Sequence, residues 1–170
     1  MNVLIVDGYN IIGAWPALRR LKEEGDLAAA RDLLIDKLAD YKGFTGDHVV
    51  VVFDAHLVQG NEKKYKNYDI DVIFTKENET ADERIERLAK TLINARTKVY
   101  VATSDYTEQW TVFGQGALRK SALELLHEIE EVERDISKKL QSMKQHTPTL
   151  KVPLNDRVAE IFEKWRRGQK

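Results

Sequence analysis

The chain has 170 residues, of which 42% are hydrophobic and 32% are charged, and its formal net charge is −1. This length and composition predict one soluble globular domain over residues 1–170, large enough to bury a sizeable core. The near-neutral charge excludes a global positive field, so any binding of nucleic acid requires local basic clusters. The absence of cysteine excludes disulfides, thiolate catalysis and cysteine zinc sites.

The sequence carries no sign of a membrane segment or of a secretory leader. No apolar run approaches the roughly 18 residues of a membrane helix, and Met1 leads directly into a strand-like segment. The four histidines show no metal-ligand spacing. We therefore expect a cytoplasmic protein that does not bind membranes.

Strand and helix signals alternate along the chain. The predicted elements are, in chain order, a strand over Val3–Asp7, helices over Ala17–Glu24 and Asp26–Lys42, strands over Val49–Asp54 and Ile70–Thr75, a helix over Ala81–Arg96, a strand over Lys98–Thr103, and helices from Tyr106 to about Gly114, from about Leu118 to Lys144 and from Asn155 onward. This alternation predicts a mainly parallel sheet with helices on both faces, and the helices of residues 118–170 are expected to pack on it.

The predicted helix from about Leu118 to Lys144 is the longest element. Its apolar residues recur at spacings of three and four, and at about 1.5 Å per residue it would extend roughly 40 Å. Packing against the sheet explains the apolar stripe. Because the helix is longer than the sheet of a small domain, a dimer or partner contact remains open.

Acidic residues follow three of the predicted strands. Asp7, Asp54 and Asp105 lie at or just beyond strand ends, and Asp82 lies in the first turn of the helix that follows the remaining strand. Parallel α/β sheets bind ligands beyond the carboxyl ends of their strands. We therefore expect these four carboxylates at one edge of the sheet.

Each of these acids also has a purely structural explanation. Asp7 with Gly8 is a common turn pair, Asp82 gains from the helix dipole, and Asp105 could cap the next helix. Together, however, crowded carboxylates repel one another, and a divalent cation such as Mg²⁺ or Mn²⁺ would relieve the repulsion. In this interpretation Gly8 allows a tight turn beside the metal, and Asn10 offers its amide to a neighbouring ligand or phosphate.

Four segments, "LIVDGYNII", "VVVVFDA", "ETADERIE" and "VATSD", resemble in order and spacing the NYN-domain ribonucleases, which are relatives of the PIN-domain nucleases, and in particular the bacterial YacP-like group. The resemblance implies a PIN-like three-layer α/β/α sandwich and Mg²⁺- or Mn²⁺-dependent endonucleolytic cleavage of RNA. For the YacP-like group it also implies action on messenger RNA in association with the ribosome.

The resemblance further implies roles for particular residues, by their positions in the matching motifs. The implied catalytic and metal-binding residues are Asp7, Asn10, Asp82, Ser104 and Asp105, with Asp54 as a less firmly assigned metal ligand.

Several basic residues are candidates for contact with RNA phosphates, although a solvated surface is the alternative for each. Arg84 lies on the helix that Asp82 opens. Lys63, Lys64 and Lys66 form a basic loop with an interleaved tyrosine. Arg119 and Lys120 fall at the start of the predicted long helix, where the helix dipole disfavours cations and a binding role is therefore worth suspecting.

Other classes of protein fit the sequence less well. A receiver domain usually has two adjacent acids after its first strand, a haloacid-dehalogenase phosphatase has Asp-x-Asp there, and a dinucleotide-binding domain has GxGxxG; none of these is present. The alternative that stays open is a non-catalytic RNA- or ribosome-binding module with a PIN-like fold. The chain retains every acid that the family motifs require, which favours the enzyme.

Overall fold

The structure is a computed structural model of the chain, and it describes residues 1–55, 69–146, 161, 164–166 and 168. The chain forms two compact units, Met1–Arg134 and Asp135–Lys170. The helix predicted from Asn155 begins outside the described residues, and the single domain over residues 1–170 stays a prediction.

The described residues form a five-stranded sheet and six helices. The strands are β1 (Asn2–Asp7), β2 (His48–Phe53), β3 (Asp71–Phe74), β4 (Lys98–Ala102) and β5 (Leu118–Lys120), and the helices are α1 (Gly8–Ala14), α2 (Pro16–Glu23), α3 (Leu27–Thr45), α4 (Ala81–Leu92), α5 (Tyr106–Gly114) and α6 (Ala122–His146).

The strands are all parallel and follow the order β3-β2-β1-β4-β5. The central position of β1 explains its run of buried apolar side chains, because strands covered by helices on both faces need no polar side. In the register of the sheet Asp7 lies opposite Val52 of β2, and Val6 lies opposite Ala102 of β4. The carboxyl ends of the three central strands therefore lie side by side.

Helices cover the sheet in two further layers. On one face, Val3 and Ile5 of β1 belong to a buried cluster with Ala81, Ile85 and Ala89 of α4. Side chains alternate along a strand, so Leu4 of β1 faces the opposite side. The helices α1 and α3 contact β2 and bury their own apolar residues outside that cluster. The predicted three-layer α/β/α sandwich with a parallel sheet is confirmed.

Three local predictions were wrong. The helix α4 ends at Leu92 rather than at Arg96, because Asn94 and Thr97 pair in an isolated bridge before β4. The long helix begins at Ala122 rather than near Leu118, because Leu118–Lys120 pairs with β4 as a fifth strand. A turn at Gly116, whose φ is 95°, separates α5 from this strand. The segment after Asp7, expected to be a turn, forms the short helix α1, which buries Ile11 and Ile12. The helix-dipole explanation for Arg119 and Lys120 therefore fails, because both residues lie on a strand.

The second unit begins within α6. In its described part Leu140 and Met143 of that helix are exposed, as is Trp165. None of the helices that the structure describes is long and apolar enough to cross a membrane.

Candidate functional site at the carboxyl edge of the sheet

Asp7 ends the central strand and is 7% exposed. Its neighbours at the same edge follow β2 and β4, where Asp54 comes directly after Phe53 and Asp105 comes three residues after Ala102. Because β1 lies between β2 and β4, the chain places Asp7 between the two other acids. The predicted collection of acids at one sheet edge therefore follows from the strand order.

Gly8 is required by packing and not by a turn. Its backbone is helical, and a Cβ atom added at Gly8 would overlap the ring of Phe53 on the neighbouring strand. The ring of Phe53 in turn lies 5.1 Å from that of Tyr9 and 5.6 Å from that of Phe74, centroid to centroid. The absence of a side chain at Gly8 lets α1 begin directly against β2, and this position sets where Asn10 lies.

Asn10 and Ser104, which are 94 residues apart in the chain, are joined directly. The backbone N–H and the hydroxyl of Ser104 both donate to Oδ1 of Asn10, at 2.6 and 2.7 Å. Two bonds use both lone pairs of Oδ1, so the amide nitrogen is the part of Asn10 that can still bind an acceptor. The structure thus brings two predicted site residues together, at the edge of the sheet where β1 and β4 end.

Asp105 caps helix α5. Its Oδ1 accepts from the backbone N–H of Thr107 at 2.9 Å, and its own N–H donates to Oγ1 of Thr103 at 3.1 Å. The structural role considered for Asp105 is therefore present. A cap uses one carboxylate oxygen and is compatible with a second role for the other.

Thr103 and Gln109 support this turn and were missed in the sequence. Both are buried, and the side-chain amide of Gln109 donates to the Thr103 carbonyl at 2.6 Å. The backbone N–H of Thr103 donates to the carbonyl of Lys120, which extends the pairing of β4 with β5. A polar pair six residues apart has no sequence signature, because the contact exists only once α5 folds back over the end of β4.

Asp82 lies in the first turn of α4 and is exposed. The helix begins with a capping box, in which Thr80 and Glu83 each bond to the other's backbone N–H. Since α4 follows the carboxyl end of β3 and contacts β1, β2 and β4, its N-terminal turn belongs to the same edge of the sheet.

The donor set at this edge fits a divalent metal only in part. Within residues 1–55, 69–146 and the few described later positions, no three acidic or histidine side chains are arranged to hold one ion. The expected cluster of Asp7, Asp82 and Asp105 is thus not gathered as a formed three-ligand site. Mg²⁺ commonly binds through one or two carboxylates and keeps water and phosphate oxygens as its other ligands. Carboxylates are the right ligand type for such an ion, and one or two of those at this edge would be enough.

Arg84 is held by a buried carboxylate. Its Nη1 lies 3.7 Å from Oε2 of Glu79, whose other oxygen pairs with Arg87. The side chain of Glu79 is 9% exposed, and its Oε2 also accepts from the backbone N–H of Lys76 at 3.3 Å. Glu79 therefore neutralises part of the positive charge that the sequence suggested for RNA, a contact that spacing alone does not reveal.

Arg119 and Lys120 have different surroundings on β5. The guanidinium of Arg119 lies 6.0 Å from the ring centroid of Trp110, and both side chains are exposed. Lys120 is largely buried, bonds to Glu128 at 2.7 Å and lies 4.9 Å from the ring of Tyr100. Arg119 can therefore meet a ligand at the surface, whereas Lys120 joins β5 to α6. The basic loop residues Lys63, Lys64 and Lys66 lie outside the described residues.

Comparison with known proteins agrees with this architecture. The family model described as the YacP-like NYN domain matches residues 4–167. A relative from Bacillus subtilis (strain 168), named as the uncharacterized protein YacP, is 58% identical over 168 residues, which cover 99% of this chain and 98% of the relative.

Solved structures extend the likeness to three dimensions. A crystal structure of Rae1 (YacP) from Bacillus subtilis has a TM-score of 0.79 and 58% identity, covering 99% of this chain and 96% of that one. A variant of that protein with one substitution has a TM-score of 0.77 and 53% identity over the same shares of the two chains. With its parallel sheet and the DGYN segment at the end of β1, this chain belongs to the YacP-like NYN-domain family and has its nuclease-like, PIN-type fold.

Proposed function

We propose that the protein is a divalent-metal-dependent endoribonuclease whose active site is the carboxyl edge of β1, β2 and β4. The observation that carries the proposal is the double hydrogen bond from Ser104 to Asn10 beside Asp7. This contact joins the segment after β4 to the helix that begins directly after Asp7. Residues that are far apart in the sequence therefore lie together at this edge of the sheet. The family and its PIN-type fold support the same chemistry.

The chemistry would be divided between a metal and the side chains of the edge. Asp7 and Asp105 would hold an Mg²⁺ or Mn²⁺ ion, and Asp82 and Asp54 are the further carboxylates that we assign to the same edge. Such an ion polarises a phosphodiester and lowers the pKa of a bound water. The Asn10 amide nitrogen would donate a hydrogen bond to a phosphate oxygen and so position the RNA. The two hydrogen bonds from Ser104 to Oδ1 would fix the orientation of this amide.

The substrate in this proposal is messenger RNA, presented by the ribosome. Support comes from the resemblance to the YacP-like group and from the electrostatics of the chain. The net charge is −1, and Arg84 and Lys120 are each paired with a carboxylate. A surface of this kind gains little from long-range attraction to free RNA. A partner that binds the RNA and presents it to the site would replace this long-range attraction. The proposal does not require a dimer.

The test is cleavage of labelled RNA by purified protein, with and without Mn²⁺, on free RNA and on translating ribosomes. We expect metal-dependent cleavage that falls at least about a hundredfold in Asp7→Asn, because the substitution removes a charge at the reacting edge. Asp40→Asn is the matched control, because it removes the same charge from an exposed position in the C-terminal half of α3. Circular dichroism would establish that both variants are folded.

The opposing result distinguishes the non-catalytic alternative. A folded wild-type protein that binds RNA or ribosomes but yields no cleavage product in either metal would be a binding module. Equal cleavage by the wild type and Asp7→Asn would place the activity elsewhere or in a contaminant.

A further inference from the structure

A cavity of about 440 Å³ opens beside the Asn10–Ser104 pair, in the first unit of the chain. Its size falls within the range of small-molecule binding sites, roughly 300–1,000 Å³. The residues that line it come from the end of α1, the start of α2, the β4–α5 turn and the start of α6: Ala14, Trp15, Pro16, Ser104, Gln109, Ser121, Ala122, Leu123 and Leu126.

The walls of the cavity are largely apolar. Trp15 is 2% exposed and its indole N–H donates to the carbonyl of Ala122 at 2.8 Å, so its buried ring backs the cavity and leaves no unpaired donor there. Leu123 and Leu126 contribute aliphatic surface from α6. Such walls favour a flat, apolar ligand face.

The polar groups of the cavity are fixed and uncharged. Gln109 is 7% exposed, and its amide is anchored by the bond to the Thr103 carbonyl. The Ser121 hydroxyl accepts from the backbone N–H of Glu124 at 3.1 Å, which leaves its hydrogen as a donor. None of the described residues that line the cavity is charged. Burying a phosphate or an amine here would therefore leave the charge uncompensated, whereas an uncharged polar ring would not.

Ser104 belongs both to the cavity and to the hydrogen-bonded pair at the reacting edge. The cavity therefore adjoins Asn10, and under the proposed function it lies next to the place where a phosphate of the RNA would bind. In an RNA strand, the group attached next to each phosphate is a ribose with its base. Nucleobases have flat apolar faces and amide-like edges, and proteins bind them by stacking and by hydrogen bonds to those edges.

We propose that this cavity binds one nucleobase of the RNA, next to the phosphate that is cleaved at the edge of β1 and β4. The proposal rests on the proposed function for its substrate, and it adds a base-specificity site that the carboxylates themselves cannot provide. The amide of Gln109 and the hydroxyl of Ser121 select among bases, and Leu123 with Leu126 contacts the face of the ring.

The test uses ribonucleosides as probes, since their binding requires no cleavage. We expect adenosine, guanosine, cytidine or uridine to shift the NMR signals of the Trp15 indole N–H, the Gln109 amide and the Ser104 backbone amide. Leu126→Phe fills the cavity and should weaken this binding at least tenfold and alter the base preference of cleavage. Leu140→Phe makes the same substitution at an exposed site farther along α6 and should change neither. If Leu126→Phe fails to fold, Ala14→Leu fills the cavity from α1.

The outcomes separate this proposal from the proposed function. Cleavage by the wild type without nucleoside shifts, and with the same base preference in Leu126→Phe, overturns the base site and leaves the nuclease intact. Nucleoside shifts in a protein that does not cleave RNA support the base site and overturn the nuclease. Equal shifts with ribose 5-phosphate, which has no base, overturn the base site, because the cavity would then recognise sugar or phosphate.

Discussion

At the scale of single residues, Gly8 shows how a motif position is fixed by packing. The glycine of the DGYN segment is of a residue type common in turns, yet its backbone is helical and its neighbour is the Phe53 ring. Any side chain there would push α1 away from β2. Asn10, two residues further on, would move with the helix.

Gly8→Ala should therefore lower the free energy of unfolding by about 1–3 kcal/mol, the usual cost of inserting atoms into a packed core. Gly13→Ala is the control in the same helix, because a Cβ at Gly13 meets nothing within 4 Å. That change should be neutral or stabilising, since alanine favours helix over glycine. Urea denaturation measures both, and equal effects of the two substitutions would contradict the packing explanation.

The Asn10–Ser104 contact offers a second prediction for single residues. Asn10→Ala removes both hydrogen bonds, whereas Ser104→Ala removes only the hydroxyl bond and keeps the one from the backbone N–H. We expect Asn10→Ala to be the more destabilising, by about 1 kcal/mol. The double variant should cost less than the sum of the two, because both remove the hydroxyl bond. Strictly additive costs in a denaturation cycle would mean that the two side chains do not interact in solution.

At the scale of elements, α3 and α6 are joined through polar groups at the margin of their contact. Tyr41 of α3 is buried and donates its hydroxyl hydrogen to Glu128 of α6 at 3.2 Å, and Lys37 pairs with Glu133 at 2.7 Å. Burial, followed by the negative charge of Glu128, raises the pKa of Tyr41 well above its usual value near 10. The neutral phenol is therefore the form that the folded protein stabilises.

This pKa shift predicts how stability depends on pH. Below about pH 10 Tyr41 is neutral in both the folded and the unfolded chain, so its ionisation contributes nothing. Above that pH the unfolded chain loses the proton first, and the free energy of unfolding falls. The Tyr41→Phe variant should have a lower free energy of unfolding than the wild type at neutral pH, because it lacks the hydrogen bond to Glu128. This difference between the two proteins should shrink as the pH rises past 10. Denaturation at a series of pH values tests this, and a constant difference between the two proteins would contradict it.

Sequence patterns predicted the elements whose signal is local. The buried runs of β1 and β2 have their own residue types and spacing, and both strands lie close to their expected bounds. The helix α4 begins at the expected residue, Ala81, but ends four residues early at Leu92. The strand Leu118–Lys120 was missed because three residues are too few to show alternation and because Leu118 continues the period of α6. Only its pairing with β4 makes it a strand.

At the scale of the whole molecule, the strand pattern predicts that the candidate acids share one edge of the sheet, but it does not predict the contacts around them. Acids after several parallel strands must lie at one edge of the sheet, whatever the details of packing. The pairing of Glu79 with Arg84 and Arg87, and the support of Thr103 by Gln109, depend on how helices pack on that edge. Such contacts join residues with no repeating spacing, so they become visible only in three dimensions.

The central position of β1 affects how the protein is made. The strand β1 can pair with its two neighbours only after β2 and then β4 have been synthesised. Asn10 can bond to Ser104 only when a further 94 residues have been added to the chain. A nascent or prematurely terminated chain that stops before β4 carries Asp7 without the hydrogen-bonded partner of Asn10. Under the proposed function, an incomplete chain would therefore not cleave the messenger RNA that encodes it. Nuclease activity would appear only after β4 and Ser104 have been synthesised.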